Sequence, residues 1–197
     1  MVWLIFGSTI FGVGIGFFLN QQMIQSLDQI STIALALLLF GIGMDLGRNK
    51  KIWAGLKNKG FKVILIPLAI AIGSIGAAGL SGLLIDLPLN EGTAIGAGFG
   101  WYSLSGIILD QIYSSDIGAM AFLSNIFREL ITIIIMPLLA KRVGYLTTIA
   151  PGGATSMDTT LPLISKLTNP ETTLYAFISG AILSSLVPIL VPLLIKL

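Results

Sequence analysis

The sequence predicts an all-α polytopic membrane protein with about five transmembrane helices and two re-entrant, broken helical elements. Three observations carry that expectation. Of the 197 residues, 55% are hydrophobic and only 10% charged, against about 25% charged in a soluble globular chain; mean hydropathy is +0.96. Apolar runs of about 20 residues, enough to cross a bilayer, recur along the chain. Between them lie two stretches whose glycines and prolines do not suit an unbroken span.

The expected spans are residues 2–19, 30–46, 63–85, 117–140 and 173–195. The first run has no basic leader and no A-x-A cleavage site, so it is expected to persist as mature structure. Its Gly12-Val13-Gly14-Ile15-Gly16 resembles a nucleotide-binding glycine run, but no strand precedes it, and close helix packing explains it better. The loop 48–62 holds six bases and no acid, which marks it as cytoplasmic. Asp45 beside it reads as interfacial. Residues 63–127 contain no base at all, while Asp86, Glu91, Asp110 and Asp116 lie among them. Lys141-Arg142 then marks the cytoplasm again.

Those two cytoplasmic marks constrain the topology. The third span leaves outward near Asp86, and the fourth must return inward to deliver Lys141-Arg142. The stretch 93–113 must therefore enter and leave on one side, and Gly96, Gly98, Gly100 and Gly106 interrupt it. The same holds for 149–167, which lies between Lys141-Arg142 and Lys166 and carries Pro151-Gly152-Gly153 and Pro162. Non-helical backbone at membrane depth is tolerated only where protein buries it or a wet cavity adjoins it. A re-entrant element plus span (93–140) followed by another (149–195) in the opposite orientation has the layout of an inverted repeat, in which paired broken segments flank a midplane site. The match between the halves is topological rather than sequential. The whole chain, 1–197, reads as one membrane transporter domain: residues 1–92 hold three spans and the basic loop. The N-terminus is expected inside and the C-terminus outside, with nine of eleven bases cytoplasmic; Arg128 and Lys196 are the exceptions.

Cys and His are absent, which removes disulfides, thiolate chemistry, most transition-metal sites and the Ser-His dyad of an intramembrane serine protease. Ser103-Leu104-Ser105-Gly106 is only superficially a GxSG motif. An intramembrane aspartyl protease is disfavoured because the usual Gly-x-Gly-Asp word is missing. No P-loop is present, which argues against ATP-driven pumping by this chain alone. The net charge of +2 does not suggest a nucleic-acid partner. No enzyme activity, metal or cofactor is expected.

Arg128 and Glu129 stand together at the centre of the fourth span, where a charge costs a few kcal/mol. Glu129 is the first candidate for a transport site, the alternative being a structural partner for an arginine. Asp158 follows a Gly-Gly break amid Thr155, Ser156, Thr159 and Thr160; it is either a helix cap or a cavity carboxylate, with Thr155 or Ser156 capping and Na⁺ a candidate occupant at Asp158 and Thr155. Arg128 is either a counter-charge for an unloaded site or a snorkelling cation near Asp116 or a carbonyl. Trp101, Tyr102, Ser103 and Ser105 lie on the first broken element. Its aromatic face offers an ammonium a cation–π seat of roughly 0.5–2 kcal/mol, or else forms an interfacial belt. Asn125, one turn before Glu129, either bonds it or bonds between helices.

The broken segments carry recognisable words. Gly98-Phe99-Gly100-Trp101-Tyr102-Ser103-Leu104-Ser105-Gly106, then Arg128-Glu129-Leu130, then Gly153-Ala154-Thr155-Ser156-Met157-Asp158 with Leu161-Pro162, resemble the lysine exporter LysO family of bacterial and archaeal inner membranes in order and spacing. The resemblance extends over essentially the whole chain. Typical members begin with three further spans, so this chain looks like their C-terminal two thirds. The further spans are expected from a separate small membrane subunit, with a homo-oligomer as the alternative. The resemblance implies export of L-lysine and its analogue thialysine across the inner membrane, with Glu129 and Asp158 matching functional carboxylates. Besides L-lysine, the expected partners are membrane lipids.

Lysine carries one positive charge, and moving it outward against an inside-negative potential costs about 2.3 kcal/mol per 100 mV. A driven antiport with H⁺ or Na⁺ is therefore expected, two carboxylates alternating between the coupling ion and the ammonium. The alternatives are an ion-coupled transporter of another small cationic solute, one subunit of a two-chain exporter, or a non-transporting accessory subunit.

Overall fold

The structure is a computed structural model that describes residues 62–197 continuously and, before them, single positions 11, 12, 14, 15, 18, 19, 30, 33, 37, 40, 41, 44 and 48. Apart from those positions, the expected spans 2–19 and 30–46 and the basic loop up to residue 61 lie outside the described residues. From residue 62 onward the fold is entirely helical: α1 (Lys62–Leu83), α2 (Leu89–Gly96), α3 (Tyr102–Ile112), α4 (Ser115–Arg142), α5 (Ile149–Gly152), α6 (Leu161–Leu167) and α7 (Pro170–Leu194). Short 3₁₀ turns at Leu146–Thr148 and Gly153–Met157 flank α5.

Three of these helices, α1, α4 and α7, are long and apolar enough to cross a membrane. They correspond to the third, fourth and fifth expected spans. Their outward faces present Leu68, Ile72 and Leu80 on α1, Leu123, Ile131 and Leu138 on α4, and Ile189 and Leu193 on α7. Such faces suit hydrocarbon, and the prolines inside them (Pro67, Pro137, Pro188 and Pro192) are of the kind that spanning helices accommodate. Ser114 caps α4 by accepting from the Ile117 N–H, and Asn169 caps α7 by accepting from the Thr172 N–H. Lys141 and Arg142 occupy the last turn of α4, where they complement its negative end.

The first glycine-rich stretch is a pair of short helices, α2 and α3, on either side of a break at 97–101. It begins at Leu89, earlier than expected, because the extended Pro88 sets its start. The second is α5, a 3₁₀ turn and α6, broken at Gly153 and Asp158. α2 packs on α1, α3 lies along α4, and α7 runs against the second break. The core between them is made of small and aliphatic side chains such as Ala97, Ala121, Ala176, Leu183 and Val187, with Phe99 fully buried at the first break. Away from the breaks, Tyr113 donates to Glu91 Oε1 at 2.5 Å. That bond, and the neighbouring negative charge, hold the Tyr113 hydroxyl above the ordinary phenol range.

Candidate functional site

The two breaks meet. At the first, Phe99 (φ +50) and Gly100 (φ +99) take left-handed backbone, which reverses the chain and frees the Phe99 carbonyl. At the second, Gly153 has φ +57 and ψ −123, a conformation open essentially to glycine alone. Its neighbour's N–H, on Ala154, donates to that Phe99 carbonyl at 2.8 Å. A Cβ on Gly153 would overlap the Phe99 carbonyl oxygen, so the glycine also permits the approach itself.

Beside the crossing is a pocket of 130 Å³ that Glu129 from α4 and Asp158 from the second break both line. Trp101, Tyr102 and Ser103 from the start of α3 line it too, with Thr155, Thr159 and, from α7, Ser184. The two carboxylates are half-buried and close enough to interact electrostatically. Thr159 stands beside both: its N–H donates to Asp158 Oδ1 at 2.5 Å, and it lines the same pocket as Glu129. The Thr155 hydroxyl donates to the Gly152 carbonyl at 2.9 Å and lies 3.3 Å from the Thr160 hydroxyl. Tyr102 stands edge-on to Phe122, with ring centroids 5.4 Å apart. Two carboxylates, hydroxyl oxygens and two aromatic side chains around one small space are chemically suited to a cation.

A family profile described as "Lysine exporter LysO" matches residues 6–195. The chain belongs to the lysine exporter LysO family. It is 35% identical over 189 residues to an Escherichia coli protein named lysine exporter LysO, an alignment covering 94% of this chain and 61% of that protein. This chain therefore spans less than two thirds of that relative's length. A Haemophilus influenzae protein, described provisionally as a lysine exporter, is 30% identical over 154 residues, covering 78% of this chain and 77% of that one. No solved structure matches.

Within this member of the LysO family, the residues singled out from sequence divide into two groups. Glu129, Asp158, Thr155, Trp101, Tyr102 and Ser103 come together in the pocket. Ser105, Asn125, Arg128 and Ser156 do not line it and instead hold backbone in place. Asn125, almost fully buried, accepts from the Gly100 N–H at 2.7 Å and donates to the Ala121 carbonyl at 2.9 Å, pinning the first break to α4. Ser105 donates to the Trp101 carbonyl at 2.9 Å. The Ser156 hydroxyl lies 2.7 Å from the Gly153 carbonyl and 2.9 Å from that of Ala176, fastening the second break to α7.

Arg128 points away from Glu129 and meets no carboxylate among the described residues. Its Nε donates to Pro151 O at 3.0 Å, Nη2 to Ala150 O at 3.2 Å, and Nη1 to Ser74 Oγ at 2.6 Å. Ser74 passes the contact on, donating to Gly96 O at 2.8 Å. The guanidinium thus sits at the carbonyl ends of α5 and, through Ser74, of α2, where free carbonyls and the helix dipoles favour a cation. It borders a separate cavity of 540 Å³ between α1 and α4, otherwise lined mostly by small and apolar residues. Four pocket residues were outside the sequence-based candidate set: Gly100 and Ala154, at the crossing itself, Thr159, seen there only as a neighbour of Asp158, and Ser184, which no local motif marks.

Proposed function

We propose that this chain is the site-bearing part of a secondary active exporter of L-lysine, and of analogues such as thialysine, across the inner membrane. The observation that carries the reading is the convergence of Glu129 and Asp158, from different elements, on one pocket beside two crossing breaks. The names of the E. coli and H. influenzae relatives supply the substrate. Glu129 and Asp158 receive the lysine ammonium, Trp101 and Tyr102 flank its alkyl stem, and Ser103 and Thr155 supply oxygen ligands. Ser105, Ser156, Asn125 and Arg128 act indirectly, by fixing the two breaks.

Outward movement of a cation against the membrane potential needs a driving ion, and the same carboxylates serve it. One H⁺ or Na⁺ entering per lysine leaving is electroneutral, whereas two draw on the voltage as well. Thr155 and Asp158 are the oxygen ligands a Na⁺ would use. In this reading the broken elements are re-entrant, the N-terminus is cytoplasmic and the C-terminus outside. Further membrane helices are contributed by a separate small subunit or by a second copy of the chain.

Lysine counterflow in proteoliposomes tests this, with wild type compared with Glu129→Gln and Asp158→Asn, alone and with any membrane protein encoded beside it. Counterflow in wild type and its loss in both variants is expected. No lysine movement under any pairing sinks the substrate, and efflux indifferent to both H⁺ and Na⁺ gradients sinks the coupling.

A further inference from the structure

A constant interval of 55 residues runs through the second part of the fold. It relates the ends of α3 and α6, at Ile112 and Leu167, and the N-caps Ser114 and Asn169. It relates the first-turn acids Asp116 and Glu171 and the internal prolines Pro137 and Pro192. Every buried position of α4 (Ile117, Gly118, Ala121, Asn125, Thr132 and Met136) falls, by the same interval, on a buried position of α7. Helix boundaries, prolines and burial therefore repeat although the side chains mostly differ.

The interval also pairs Phe99 with Ala154, the residues joined by the hydrogen bond between the breaks. It pairs Gly100 with Thr155, and a Cβ on Gly100 would lie 3.4 Å from Thr155 Cγ2. Equivalent residues that meet each other mark a two-fold axis. Two further pairs lie at the adjoining pocket: Ser103 with Asp158, and Glu129 with Ser184, all four lining it. Each pair holds one carboxylate and one serine. Ser184 Oγ is buried, and its hydrogen-bond partner is Met157 Sδ at 3.7 Å, a weak acceptor that a ligand readily displaces.

We infer that the pocket is a pseudo-two-fold cation site in which Ser184 is a ligand-contacting residue, the counterpart of Glu129, as Ser103 is of Asp158. This rests on the pocket being the transport site. In a two-fold site the position of a carboxylate is interchangeable between partners. Ser184 then sets specificity by contributing a neutral oxygen where its counterpart contributes charge.

Charge exchange tests it. Glu129→Ser should lower lysine counterflow by about 100-fold, as expected when a buried charge contact is lost. Adding Ser184→Glu to that variant should restore counterflow to within about tenfold of wild type, an equivalent group having been supplied. The reciprocal exchange, Ser103→Asp with Asp158→Ser, should behave alike. A second readout needs no transport: because the chain has no cysteine, Ser184→Cys gives a single thiol. A small positively charged thiol reagent should modify it measurably, though more slowly than the exposed Ser103→Cys, since modification follows access to water. Ser179→Cys, buried on α7 outside this pocket, should be far slower. Both exchanges as inactive as their single variants, or a thiol at 184 as slow as one at 179, would overturn the inference. Failure of wild type to move lysine would instead strike the substrate and leave the labelling result standing.

Discussion

Gly153→Ala puts the crossing of the two breaks to the test. The glycine's φ of +57 with ψ −123 is a conformation that costs any other residue about 1–3 kcal/mol. The new Cβ would overlap the Phe99 carbonyl oxygen and lie 3.0 Å from Arg128 Nη2. The obstacle is backbone, so one break must move off the other. The Ala154 N–H then loses its acceptor, at about 1–3 kcal/mol for a buried donor left unpaired. The combined loss is about 2–6 kcal/mol, which lowers the unfolding midpoint by roughly 4–24 °C for a chain of this size. Gly144→Ala is the matched control: its φ is +136 but nothing lies within 4 Å of the added Cβ, so only the conformational cost of about 1–3 kcal/mol remains. The assay is thermal denaturation in detergent, read as the monodisperse fraction after heating, with counterflow on the same preparations. Counterflow should fall about 100-fold in Gly153→Ala, because displacing a site by about 1 Å has effects of that order. Equal midpoints for the two variants would refute the argument that the breaks are locked together at this glycine.

Three other substitutions probe the supports of the crossing. Arg128→Lys should lower stability by about 2–4 kcal/mol in the same denaturation assay, because an ammonium cannot reproduce a planar fork spread over three acceptors; a midpoint equal to wild type would contradict the clamp. Asn125→Ala strands the buried Gly100 N–H and should cost about 1–3 kcal/mol, with lysine counterflow reduced at equal protein and no change in which amino acid is carried. Gly180→Ala brings a Cβ to 2.5 Å from the Met157 nitrogen and 2.8 Å from the Ala154 oxygen. It should cost about 1–3 kcal/mol through overpacking, measurable as the difference in midpoint from Gly73→Ala, which meets nothing within 4 Å.

Much of this architecture is legible in the sequence. Hydropathy alone marks the three described spans, and the run of Gly96, Gly98 and Gly100 and the Pro151-Gly152-Gly153 word mark both breaks to within a few residues. The pocket carboxylates are legible because an acid is costly in an apolar span. What the sequence does not disclose is direction. Ser105 and Ser156 carry the same hydroxyl as Ser103 and Thr155, and only the path of the neighbouring backbone decides which of them meets a carbonyl and which lines the pocket. Ser184 is hidden for a different reason. A serine in an apolar helix is unremarkable one residue at a time, and it gains meaning only from its 55-residue relation to Glu129. That relation is carried by caps, prolines and burial rather than by residue identity.

Arg128 and Glu129 show how one turn of helix serves two incompatible needs. Breaking a helix inside a membrane leaves carbonyls with no water to satisfy them. A guanidinium is well suited to that task, since its rigid fork of donors addresses several oxygens at once and stays charged. Here it reaches the ends of both broken elements, directly at Ala150 and Pro151 and through Ser74 at Gly96. In the proposed reading, a cation placed instead against Glu129 would occupy the position that the cationic ligand needs. Adjacent helical residues point about 100° apart, so the two charges lie next to each other in sequence yet face different cavities, one of 540 Å³ and one of 130 Å³. The positive charge is satisfied by backbone, and the negative charge stays available to a ligand. Movement of one break against the other would alter the arginine's contacts and the pocket together, because the Phe99–Ala154 bond joins the two breaks between them.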